Sequence, residues 1–163
     1  MPKIIKIPTV EEAFQKLSAL CARSEHAPAD MELKMKAWGM AEREQTSVMQ
    51  KLIEANYINH GRYAHAFVHD KLLYAGWGRQ KLSFALRQKG IDAESISEAL
   101  EGIDEEDYRE VLQRLLISKK RQTRASDNAE LRLKLLRFSA SRGFETDVAN
   151  TLIRALLRDA DNE

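Results

Sequence analysis

Three glycines place the tightest constraint on how this chain folds. Gly39, Gly90 and Gly143 each close a charged, amphipathic stretch, and each is followed by an apolar residue: Met40, Ile91 and Phe144. A glycine just past the last turn of a helix takes the left-handed conformation without a Cβ penalty, and the next residue can pack back on the helix. The glycines are 51 and 53 residues apart. Four and eight residues before them stand Met35 and Met31, Leu86 and Leu82, then Ser139 and Leu135. Nine or ten and then thirteen residues after them stand Val48 and Leu52, Leu100 and Ile103, Leu152 and Leu156. An apolar register that recurs around a recurring cap predicts repeated units of about 50 residues, placed at 9–58, 59–103 and 104–160.

Within each unit the apolar spacing is that of an amphipathic helix. Stripes such as Val10/Phe14/Leu17/Cys21, Tyr63/Phe67/Tyr74 and Val148/Leu152/Leu156 predict nine helices. These fall near 9–25, 29–38, 42–56, 61–75, 78–89, 93–102, 105–121, 127–142 and 145–158. Thr9 with Glu12 three residues later is a capping box for the first. Seven Gly and three Pro in 163 residues are too few for the turns of an all-β domain. A three-helix unit this small cannot bury enough surface alone, so neighbours must share apolar faces. The expected fold is all-α: three tandem three-helix repeats stacked into an elongated, curved array. Ser139, where the other units carry Met or Leu, predicts less apolar packing in a terminal repeat.

Composition removes several classes. With 44% hydrophobic and 31% charged residues the chain buries a core. Its apolar runs are far shorter than the roughly 20 residues that span a bilayer. The start, Met1 to Pro8, reads as too short and too charged for a signal peptide. A single cysteine, Cys21, cannot form an internal disulfide and suits a reducing cytosol; its place on an apolar stripe reads as a buried, inert thiol.

The formal charge is +1, yet it is unevenly laid out. Residues 1–59 sum to zero, 60–90 to +5, 91–110 to −8, 111–142 to +7 and 143–163 to −3. Blocks of one sign create local potentials that steer partners even when the total is small. No phosphate-binding loop, nucleophile elbow or HExxH sequence is present. His65 and His69 are one helical turn apart and His60 precedes them, but Ala66 stands where a zincin carries its glutamate. They read as solvent-facing histidines beside an aromatic core stripe, and His26 as a helix-end residue. No enzyme, cofactor or metal site is expected. The stripe Tyr63, Phe67, Tyr74, with Trp77 in the glycine turn after it, reads as core rather than as a base-stacking platform, with Trp77 partly exposed.

The run Tyr57-Ile58-Asn59-His60-Gly61-Arg62-Tyr63-Ala64-His65-Ala66-Phe67-Val68 resembles the central signature of the RecX family, bacterial regulators of the RecA recombinase. Gly76-Trp77-Gly78-Arg79-Gln80-Lys81-Leu82 and Leu86-Arg87-Gln88-Lys89-Gly90-Ile91 resemble its next segment. Leu20-Cys21-Ala22-Arg23-Ser24-Glu25-His26 upstream, and Lys134-Leu135-Leu136-Arg137-Phe138 with Ser141-Arg142-Gly143-Phe144 downstream, resemble its opening and closing motifs. The resemblance covers about residues 10–158. Three positions depart from it: Asn59-His60 replaces an acidic pair, Ala27-Pro28 replaces a Ser cap, and Ser139 replaces a leucine.

The resemblance implies binding in the groove of RecA–DNA filaments, with inhibition of RecA ATPase, strand exchange and coprotease activity, and so a part in DNA repair, recombination and the SOS response. The partner is then the filament, with weak single- or double-stranded DNA binding at most, and the protein a monomer. The two basic blocks supply contact residues: Lys71, Arg79, Lys81, Arg87 and Lys89 in the first, and Lys119, Lys120, Arg121, Arg132, Lys134, Arg137 and Arg142 in the second. Lys89 and Arg142, each one residue before a repeat glycine, are expected to project from equivalent corners, and reversing both charges to spare the fold. The alternative is a helical nucleic-acid-binding module that acts without RecA.

Overall fold

The computed structural model describes the backbone of residues 6–161 and the side chains through Arg158. Met1–Ile5, on which most of the signal-peptide reading falls, lie outside the described residues. Among the described residues there are nine α-helices and no strand: α1 (Val10–Arg23), α2 (Pro28–Ala37), α3 (Glu42–Glu54), α4 (His60–Ala75), α5 (Arg79–Gln88), α6 (Ala93–Glu101), α7 (Glu105–Gln122), α8 (Asn128–Ser141) and α9 (Thr146–Asp161). Each predicted helix is found, with ends shifted by at most three residues.

The repeated glycines end α2, α5 and α8. Gly39, Gly90 and Gly143 have φ of +81°, +80° and +89°. At each, the glycine N–H donates three residues back, to Lys36, Arg87 and Ala140, and the next N–H donates five residues back, to Met35, Leu86 and Ser139. This is a Schellman cap formed three times. The paired apolar residues are buried: Met35 with Met40, Leu86 with Ile91, and Ser139 with Phe144. At Ser139 the packing includes a polar side chain yet stays closed. Ser139 is fully buried, its hydroxyl donates to the Leu135 carbonyl at 2.9 Å, and its small volume accompanies the largest of the three capping side chains, Phe144. α3 ends the same way on a non-glycine: Asn56 has φ +61°, with Asn56 N–H to Ile53 and Tyr57 N–H to Leu52. Asparagine tolerates this conformation because its short side chain bonds locally, and Asn56 Oδ1 accepts from Asn59.

The chain forms two compact units. The first comprises the described part of Met1–His65 with Leu86–Ile96, the second Ala66–Ala85 with the described part of Ser97–Glu163. In the first, α1 and α2 pack on α3 around Leu17, Met31, Met35, Val48, Leu52 and Ile58. In the second, α7, α8 and α9 pack together around Tyr108, Leu112, Leu116, Leu135, Phe144 and Ile153. Each large apolar side chain fully buried this way stabilises by about 1.5–3 kcal/mol.

Two predicted stripes are displaced. On α4 the buried face is Ala64, Val68 and Leu72; Tyr63 and Phe67 are half-buried, and Tyr74 is 83% exposed. The small and aliphatic residues fit the closer packing, and the aromatics flank it. On α9 the buried stripe is Ala149, Ile153 and Leu157, one residue later than predicted, with Val148, Leu152 and Leu156 packed at its margin.

Candidate functional site

The basic positions divide by what the fold asks of them. Arg79, at the first position of α5, is enclosed. Its guanidinium lies 3.9 Å over the Tyr108 ring, pairs with Glu145 at 2.8 Å and pairs with Glu105, and its backbone N–H donates to the Tyr108 hydroxyl at 3.0 Å. That hydroxyl in turn donates to Glu145. Burial, the largest single influence, opposes the Arg79 charge, but the Glu145 hydrogen bond together with the charges of Glu145, Tyr108 and Glu105 outweighs it and holds the group further toward its charged form. Burial and the same carboxylate raise the Tyr108 phenol far above its usual range, so it remains a donor. Arg79 is thus committed inside the second unit.

Lys89 and Arg142 also make structural contacts, which argue against the expectation that reversing both charges spares the fold. Lys89 Nζ bonds Asp30 at 3.0 Å, which holds its ammonium more firmly charged, and its carbonyl accepts the Ala29 N–H at 3.1 Å. That carbonyl does for α2 what the absent Ser cap would do, since Ala27 offers no side-chain bond. In the second unit Arg142 Nη1 donates to the Ala75 carbonyl at 3.1 Å. The carbonyls of Arg142 and Gly143 accept from Gly78 and Gln80 at 2.8 and 3.0 Å, satisfying the start of α5. A Cβ at Gly78 would lie 2.5 Å from the Gly143 carbonyl, so only glycine admits this approach.

Lys71 and Lys81 are different. The Gly76 turn (φ +67°), with Trp77 N–H donating to the Lys71 carbonyl at 3.1 Å, folds Trp77 back toward α4. There the indole meets Phe67 edge-on at 6.0 Å, and the ammonium groups of Lys71 and Lys81 lie 4.9 and 4.7 Å from its centroid. Two cations from two helices converge on one half-buried indole, each contact stabilising by about 0.5–1 kcal/mol. Neither lysine belongs to any ion pair among the described residues, and Asp70, the one acid in residues 60–90, pairs with His69. Tyr74 adds an exposed aromatic to the same helix.

A second basic surface lies between α7 and α8. Lys119, Arg124, Lys134, Arg137 and Phe138 line an open groove of about 650 Å³. Lys119 and Arg142 approach the Phe138 ring at 5.3 and 5.5 Å. Lys134 is held by Glu130 at 3.1 Å and by the Arg124 carbonyl at 2.7 Å. Lys120 and Arg121 sit in the last turn of α7, where cations complement the helix dipole. Arg87 occupies the last turn of α5. Arg132 lies apart, in another groove with Arg154 and Arg158. Those two arginines were not among the predicted contacts, because the acidic balance of residues 143–163 concealed a basic pair one turn apart.

The histidines disperse. His60 Nδ1 accepts the Asp92 N–H at 3.0 Å, His69 faces Asp70, and His65 is exposed. Asn59 caps α4, its Oδ1 accepting from Arg62 at 2.8 Å. His26 Nδ1 bonds the Ser24 carbonyl just past α1. Cys21 is half-buried, and burial pushes its thiol pKa up, away from thiolate reactivity.

Repeated helices with the same glycine caps define an all-α helical-repeat protein. Residues 59–100 match the family described as RecX, second three-helix domain. A regulatory protein RecX of Mycobacterium sp. (strain JLS) is 31% identical over 137 residues, covering 82% of this chain and 74% of that one. This chain belongs to the RecX family. The regulatory protein RecX of Clostridium perfringens (strain 13 / Type A) is 33% identical over 107 residues, 64% of this chain and 50% of that protein. The chain thus matches about half the length of its clostridial relatives. The crystal structure of RecX from Lactobacillus salivarius superposes with a TM-score of 0.78 at 19% identity, covering 90% of this chain and 96% of that one. A crystal structure of regulatory protein RecX gives 0.81 at 21%, covering 88% and 72%. At those identities the two structures establish the shared helical fold.

Proposed function

We propose that this protein is a non-enzymatic, cytoplasmic regulator that binds RecA–DNA filaments and inhibits RecA ATP hydrolysis, strand exchange and coprotease activity. The observation that carries this reading is the convergence of Lys71 and Lys81 on Trp77, with the exposed Tyr74 on the same helix as Lys71. Cations of this kind engage phosphate or acidic protein surface, while aromatic residues anchor protein interfaces. A filament presents both. The repeats 9–58, 59–103 and 104–160 then act as linked modules, each adding a weak contact that gains strength through effective concentration.

The experiment is RecA ATPase on single-stranded DNA with substoichiometric added protein. Turnover should fall; unchanged turnover overturns the reading. Lys71→Glu with Lys81→Glu should abolish inhibition while removing the three cation–π contacts these lysines make with Trp77 and Phe67, about 1.5–3 kcal/mol of stability. Inhibition retained by that variant moves the interface elsewhere.

A further inference from the structure

The second unit holds a groove of about 530 Å³ between α8 and α9 whose lining includes three arginines, Arg132, Arg154 and Arg158. Arg154 and Arg158 are one turn apart on α9, and like charges at that spacing destabilise a helix by about 0.2–0.5 kcal/mol. Among the described residues no carboxylate lines the groove, and no ion pair includes any of the three. Elsewhere this protein neutralises its structural cations: Arg62 with Glu25, Arg79 with Glu105 and Glu145, Lys89 with Asp30, Lys134 with Glu130. Here it concentrates three that no acid among the described residues pairs. The Thr151 hydroxyl donates to the Asp147 carbonyl at 3.0 Å, and the three guanidinium groups are the charged donors among the described lining residues.

We propose that Arg132, Arg154 and Arg158 form a sequence-independent clamp for the phosphate backbone of a nucleic-acid strand. Three forks with no lysine among them suit phosphate oxygens, which they grip bidentately. The apolar lining is limited to Ala129 and Leu157, with Leu157 8% exposed at the floor. A protein partner would call for aromatic or large apolar anchors; backbone phosphate contacts need none. Neighbouring phosphates along a strand present repeated charge to arginines about 6 Å apart along α9. The clamp acts on a bare strand and does not depend on the recombinase reading.

The test is fluorescence anisotropy of a labelled oligothymidylate with the full chain, without RecA, over a salt series. The wild type should bind with a log–log salt slope that Arg132→Gln, Arg154→Gln and Arg158→Gln together reduce by about 2, near 0.7 for each phosphate released. Replacing the same three by lysine should preserve the slope and weaken binding, which excludes misfolding as the cause. An unchanged slope in the glutamine variant overturns the clamp. So does tighter binding of labelled polyglutamate than of oligothymidylate, which would assign the groove to an acidic protein segment.

Discussion

Tyr108 shows how one side chain decides local order. It occupies the fourth position of α7, is fully buried, and its hydroxyl both accepts from Arg79 N–H and donates to Glu145. Tyr63 holds the fourth position of α4, where burial, with Asp30 adding to it against Lys89, raises its phenol pKa. Tyr108→Phe leaves the part-buried Arg79 N–H without its acceptor and takes one of two donors from Glu145, and should lower the denaturant-derived stability by about 1–3 kcal/mol. The glycines give a graded comparison. A Cβ at Gly39 meets only the flexible Ile7 side chain at 3.7 Å, whereas one at Gly78 strikes backbone at 2.5 Å. Gly39→Ala should cost about 1–2 kcal/mol from its left-handed backbone alone. Gly78→Ala should cost more despite its ordinary φ, and urea midpoints for the two variants check the order.

Among the elements, α8 begins with a concentrated set of caps. Asp127 accepts from Glu130 N–H at 2.8 Å, and the Glu130 carboxylate accepts from the Ser126 hydroxyl and N–H and pairs with Lys134. These bonds, the Ser126 hydroxyl first, lower the Glu130 pKa from 4.5 to about 2. A depressed carboxylate pKa stabilises the fold above pH 4.5, and that stabilisation fades as pH falls toward 2. Carbon-detected NMR titration should place the Glu130 midpoint near 2, and Ser126→Ala should move it up toward 4.5. At the start of α2 the contact is between charges: Lys89→Glu sets a carboxylate against Asp30 and should lower the melting temperature. The pair is partly exposed, so the loss of attraction is at most about 1 kcal/mol. Combining Lys89→Glu with Asp30→Lys should restore most of the melting temperature, and failure to do so would assign the effect to something other than this pair.

For the molecule as a whole, a formal charge of +1 conceals how its cations are used. Some are consumed in holding helix ends, and others stand unpaired beside aromatics or in grooves. If the unpaired set carries binding, inhibition of RecA ATPase should weaken between 50 and 200 mM salt, the range over which phosphate contacts lose affinity. The sequence by itself determined the helices, the repeat and its caps, because apolar period and glycine placement are local properties that survive without knowledge of the fold. It also marked Lys71 and Lys81 as basic positions and the Asn59 cap. It did not separate paired from unpaired cations: Arg79, Lys89 and Arg142 look like their neighbours until Glu145, Asp30 and the Ala75 carbonyl, 66, 59 and 67 residues away, are brought alongside. Nor did it expose Tyr74 or gather Arg132 with Arg154 and Arg158. Helical period places residues on a face, but which face is buried, and which distant charge meets it, follows from packing between helices. Only the tertiary structure decided those.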